Sequence, residues 1–286
     1  MGNMRAGKRI CQSNLKRILG NVRFYLALAW FAMTLCFYML QLRVLAAQLE
    51  LPVSVWCLPL LLTKSGNQMF LILGAVLLFC DAPFLYDNSG WQIIRAGRKC
   101  WFWGNIGYMA VLSLIYTVSV AVIPVLFEIP HISFKNEWGA LLGSMAQTSL
   151  ANQYGLTSLS YQIMARYDPM EAMGYVLLAV WLNTMLIGVV NYTANLLIRQ
   201  GSGPVFCLFI GLTPVLLDRA LPPFVYISYY LSPPAWLNLE NYNWDGYGAA
   251  PAPGYIYGAL IGLIVTGIFV CRYGIMKKDL YVIENI

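Results

Sequence analysis

Charged side chains are scarce in this chain: Asp, Glu, Lys and Arg make up 10% of its 286 residues, where soluble domains carry about 25%. With 59% hydrophobic residues and a mean hydropathy of +0.64, that scarcity excludes an ordinary soluble domain and predicts an all-α integral membrane protein. Histidine is nearly missing. The single residue, His131, has no His, Cys or carboxylate neighbour at metal-ligand spacing, so the sequence offers no metal site. A Ser-His-Asp mechanism would have to run through this same His131. Also lacking is any C-x-x-C pair: Cys11, Cys36, Cys57, Cys80, Cys100, Cys207 and Cys271 lie mostly in or beside apolar runs and read as small core residues. Paired carboxylates and activated serines are missing from the apolar runs, so no catalytic residue is assigned and an enzyme is not expected.

A phosphate loop is missed by one residue. "GNMRAGKR", Gly2 to Arg9, has Arg9 where G-x-x-x-x-G-K-[ST] needs the hydroxyl that holds Mg²⁺. No strand leads into it, no second nucleotide motif follows and the chain offers no stretch for a soluble ATPase domain. The octapeptide therefore reads as a cationic segment at a lipid surface.

What is present is a series of apolar runs. The nineteen residues Phe24 to Leu42 carry no charge and would span about 28 Å as a helix. The run is too long for a signal peptide h-region, and no small-residue cleavage site follows it. Further runs cover 68–85, 102–127, 173–198, 204–217 with an option to continue to 231, and 255–271. One transmembrane domain, 1–286, with six spans is predicted. Lys and Arg then divide 13 against 5, and the positive-inside rule puts the richer side and both termini in the cytoplasm. The set of 13 is Arg5, Lys8, Arg9, Lys16, Arg17, Arg23, Arg95, Arg98, Lys99, Arg199, Arg272, Lys277 and Lys278. This placement, rather than nucleic acid, accounts for the net charge of +6. Residues 140–167 are long enough to span but rich in Ser, Thr, Asn and Gln. They read as an external interfacial or partly re-entrant segment, with a seventh span as the alternative.

Three connections carry more than topology. Ahead of the first span, Ile10, Leu15, Ile18 and Leu19 alternate with Lys8, Arg9, Lys16, Arg17 and Arg23, an amphipathic helix suited to the inner membrane surface. Between spans two and three, Asp87 to Cys100 can form a short helix; at 100° per residue Trp91, Ile94, Arg95, Arg98 and Lys99 share one face, opposite Gln92, Ile93, Ala96 and Gly97. Between spans five and six, six prolines stand among Tyr and Trp residues, which suits a broken, partly re-entrant hairpin on the outer side.

This layout resembles the permease subunits of type-2 ATP-binding-cassette exporters, most locally in "DAPFLYDNSGWQIIRAGRKCWFWGNIGYMAVLSLIY" with its R-x-G-R-x-x-W core at Arg95, Gly97, Arg98 and Trp101. The resemblance implies a membrane subunit in a bacterial plasma membrane. Its partners would be two ATPase subunits, which bind the ATP and Mg²⁺, and a second permease copy or a similar permease. The link between spans two and three would be the helix that docks on the ATPase, through Asp87, Trp91, Ile94, Arg95, Arg98 and Lys99. The alternative function is an ion-coupled secondary transporter, for which Asp81 is the best ionisable residue near a span.

Overall fold

The computed structural model describes residues 2–84, 89–148, 150–219, 229–244 and 249–277, without the side chains of 2–5 and 89–91. Twelve α-helices can be labelled among them: α1 (Gly2–Leu19), α2 (Val22–Leu49), α3 (Leu58–Leu61), α4 (Ser65–Phe79), α5 (Ser89–Ala96), α6 (Arg98–Phe127), α7 (Ala140–Gln147), α8 (Leu150–Gln153), α9 (Tyr161–Arg166), α10 (Pro169–Leu197), α11 (Ser202–Leu217) and α12 (Pro253–Lys277). The one sheet among these residues is a parallel pair, β1 (Val53–Ser54) beside β2 (Ile132–Ser133). Two 3-10 turns, Pro233–Leu237 and Leu239–Asn241, precede α12.

Four helices, α2, α6, α10 and α12, are long and apolar enough to cross a bilayer, so the chain is a multi-pass membrane protein. The other two predicted spans are shorter. α4 has 15 residues and α11 has 16, about 23 and 24 Å of helix against a hydrocarbon core of about 30 Å. The second span was expected at 68–85, but α4 stops at Phe79 and a turn through Asp81 and Ala82 follows. α11 likewise ends at Leu217, capped at Asp218, so the helix does not run on as one piece toward 231. Residues 140–167 form no seventh span: α7, α8 and α9 are separate, and the longest is eight residues, or about 12 Å.

Contacts fix the directions. The β1–β2 pair puts the ends of α2 and α6 together. An ion pair between Arg23 and Asp81 puts the end of α4 beside the start of α2. Thr193 and Cys271 meet near the ends of α10 and α12, and the Tyr257 hydroxyl donates to the Tyr175 carbonyl near their starts. The six apolar helices thus alternate in direction along the chain. α10 is the hub, packed against α4, α6, α11 and α12. Its side chains are buried on nearly all sides, whereas α2 keeps Phe31, Leu35, Met39 and Leu42 inside and exposes Leu26, Met33, Phe37 and Leu40. The exposed aliphatic and aromatic stripe is a lipid-facing surface.

The alternation sorts charge. Eleven of the thirteen predicted inner cations are described with side chains, and all belong to the end where α2 begins and α4, α10 and α12 finish. Arg43, Lys64, Lys135, Arg166 and Arg219 belong to the other. By the positive-inside rule the cation-rich end is expected to face the cytoplasm. In a variant with the seven native cysteines replaced, a membrane-impermeant maleimide added to intact cells should label Phe134→Cys, at a site 78% exposed on the far end, and leave Lys16→Cys unlabelled. The reverse pattern would overturn the orientation.

Candidate coupling surface at the cation-rich end

The octapeptide that mimics a phosphate loop is the first two turns of a helix. With its backbone wound helically, it supplies no loop of converging N–H groups for a phosphate. α1 is seated on protein. Ile10, Asn14 and Ile18, spaced four apart, are buried, and α1 packs against α6. A Cβ on Gly104 would stand 3.0 Å from the Gly7 carbonyl oxygen and from Ile10, so glycine there lets the two helices touch. Inside the contact the Asn14 Nδ2 donates to Asn105 Oδ1 at 2.9 Å, both side chains buried. The expected apolar face of α1 is therefore taken by α6 rather than left open to lipid, while Lys8, Arg9, Lys16 and Arg17 stay on the outer side.

α5 completes the surface. Its inner residue Ile93 is 5% exposed and the helix packs on α1 and α6. Ile94 is 71% exposed with Arg95 exposed beside it. The division of faces predicted for Ile93 against Ile94 and Arg95 holds. One part of that face needs correction: Arg98 and Lys99 do not continue it. Gly97 adopts φ 78° and ψ 149°, a positive-φ conformation open chiefly to glycine that ends α5, and Arg98 opens α6. Lys99 is exposed and Arg98 half-buried in that first turn, near α5 but on a different axis. Asp87 and the Trp91 side chain lie outside the described residues.

Two further bonds hold the floor of this end. Asp81 is paired with Arg23, whose helix starts under the Asn21 cap. Beside it, the Cys80 thiol donates to the Leu77 carbonyl at 3.2 Å. Asn195, fully buried near the end of α10, spends its whole amide on chain ends: Nδ2 donates to the Ala82 carbonyl at 2.6 Å, and Oδ1 accepts from Gly203 N at 2.7 Å and Gly201 N at 3.1 Å. A Cβ on Gly203 would come within 2.6 Å of the Asn191 carbonyl, so α11 can start only this close with glycine there.

Asn14, Asn105 and Asn195 were not singled out by sequence reading. Asn14 falls at i+4 between Ile10 and Ile18, and that stripe is the signal that could have found it. Comparisons with family models, curated proteins and solved structures return no match to this chain. What the surface can do is therefore read from its own chemistry. A short helix, backed by two others, offers a bare isoleucine among cations, which suits docking by shape and charge.

The seating of α1 yields a test by overpacking. Gly104→Val should destabilise the protein by about 1–3 kcal/mol and speed proteolysis within α1. Gly107→Val, where a Cβ meets nothing within 4 Å, should change stability by less than about 0.5 kcal/mol. Equal melting temperatures for both variants in detergent would show that α1 is not held by this contact.

Proposed function

We propose that this chain is the membrane subunit of an ATP-driven exporter of the type-2 ATP-binding-cassette class, resident in a bacterial plasma membrane. In this reading α2, α4, α6, α10, α11 and α12 all cross the membrane, the two short ones at thinned or protein-filled depth. The cation-rich end, with both termini, is cytoplasmic. The observation that carries the reading is α5: eight residues between the second and third apolar helices, anchored inward by Ile93 and presenting Ile94 and Arg95 outward. Ile94, 71% exposed, and the exposed Arg95 beside it would supply an apolar contact and a cation to a protein docked on this helix. Two copies of a separate ATPase, holding ATP and Mg²⁺, would grip α5, with Lys99 and the outer cations of α1 at the rim.

The chain's own residues then transmit the motion. A push on α5 reaches α6 through the single turn at Gly97. The buried Asn14–Asn105 bond moves α1 with it, and α6 bears on α10, the hub. Closure of the ATPase would thereby tilt the helices that bound a path between this permease and a second copy or a similar one. At the far end, Trp236, Leu237 and Tyr242 are buried and the first 3-10 turn packs on α4, α10 and α11. This segment is read as a partly re-entrant outer plug.

An ion-coupled carrier is the second reading. Asp81, its sequence candidate, is engaged by Arg23; the observation that favours this reading is Glu128, a carboxylate buried at the far end.

Purification from the native membrane in mild detergent should bring down an ATPase. Ile94→Asp and Arg95→Glu should each cut its yield by tenfold or more, since anchors at such contacts typically cost about 2 kcal/mol. Gln92→Ala, on the inner face, should leave yield and cargo-stimulated ATPase activity unchanged. Wild-type yield in both Ile94→Asp and Arg95→Glu would remove α5 from the coupling role. Transport in liposomes driven by an ion gradient without any ATPase would favour the carrier.

A further inference from the structure

Glu128 ends α6 on the side away from the cationic surface, and its surroundings are unusual for a carboxylate. Its backbone is held, the N–H donating to the Val125 carbonyl at 3.2 Å and the carbonyl accepting from His131 N at 2.7 Å. The residue is 2% exposed. Both carboxyl oxygens are shut off from solvent and neither has a hydrogen-bond donor among the described residues. Gln41 Oε1, on α2 one turn from Tyr38, is likewise buried without a donor.

The groups that face Glu128 give no full counter-charge. From α2 come the Tyr38 phenol, which donates to the Thr157 carbonyl, and the guanidinium of Arg43. Arg43 is exposed and makes no ion pair with Glu128 among the described residues. From the cap of α3 comes the buried Cys57 thiol, which burial and the Glu128 charge push up to about 12. His131 lies three residues further along Glu128's own connection. A carboxyl with neither oxygen paired and no full counter-charge costs less to bury protonated than ionised.

We propose that Glu128 is a proton-binding site, and that its bound proton keeps the cap formed by the β1–β2 pair and the neighbouring Cys57 segment closed beside the ends of α2 and α6. β1 begins four residues after α2 ends and β2 five residues after α6 ends, so the cap spans both helix ends beside this carboxyl. Loss of the proton leaves a charge that only water can satisfy, and water reaches it when the cap lifts. Cys57, 3% exposed at the same place, reports that lifting. The site works in the same way whichever energy source drives transport.

Burial raises the Glu128 carboxyl from 4.5 to about 7, with Arg43 opposing. The closed state therefore holds the proton up to about pH 7, whereas a solvated carboxyl loses it near 4.5. Closure is favoured fully below pH 4.5, weakens tenfold per pH unit between the two values, and changes no further above 7. Glu128→Gln keeps the shape without the titration. In protein whose only cysteine is Cys57, the ratio of maleimide labelling rates, wild type over Glu128→Gln, removes the thiol's pH dependence except for the part due to the Glu128 charge, which holds the thiol protonated and so opposes the rise that lifting produces. It should rise by up to about thirtyfold from pH 5.5 to 8, most of it below pH 7, and then level off. Infrared spectra should show a protonated carboxyl at pH 6 that titrates near neutrality and is missing in Glu128→Gln. Arg43→Gln should move that titration to higher pH. A flat labelling ratio, or spectra at pH 6 that are identical in wild type and Glu128→Gln, would overturn the proposal.

Discussion

A polar group at membrane depth is costly unless it finds a partner in the protein, and in this chain one amide meets that demand for three backbone groups at two helix ends. Asn195 takes the carbonyl of the turn after α4 and the two N–H groups that open α11. Without it, the start of α11 would present bare donors beside the hydrophobic core, at a cost of about 1–3 kcal/mol for each unsatisfied group. The position of α11 against α10, the exit of α4 and the approach of Arg23 to Asp81 are all set around this residue. Gly203 answers it from the other side by leaving no side chain in the way.

The same economy recurs at the α1–α6 contact. A glycine brings two helices together, and a buried asparagine pair fixes their register. Elsewhere small hydroxyls in the helices turn inward on their own backbone, as Thr117, Thr193 and Thr266 do with the carbonyl four residues before each. Polar atoms thus serve as internal fasteners at one end of the bundle. At the other end, the two Glu128 carboxyl oxygens meet no donor among the described residues.

Much of this architecture could be read from composition. Length, hydropathy and cation placement sufficed for a helical multi-pass membrane chain, and each of the long apolar runs coincides with a helix. The ends were less legible. α4 stops at Phe79, with Pro83 close behind as a local helix-stop signal, but the pairing of Asp81 in that turn with Arg23, 58 residues earlier in the chain, is encoded by no local pattern. The candidate surface divides in the same way. The opposite faces of Ile93 and Ile94 follow from helical periodicity. The separation of Arg98 and Lys99 from that face follows from Gly97, whose positive-φ conformation a uniform 100° count passes over.

Sequence by itself determined the class, the number of apolar segments and the sidedness of charge, because each depends on a sum over residues that neighbours cannot reverse. Tertiary structure alone decided which polar residues became fasteners. Asn14, Asn105 and Asn195 look like ordinary polar side chains in the one-dimensional record. Their roles exist only where two or three segments meet, since a buried hydrogen bond is a property of the pair and of the solvent their packing excludes.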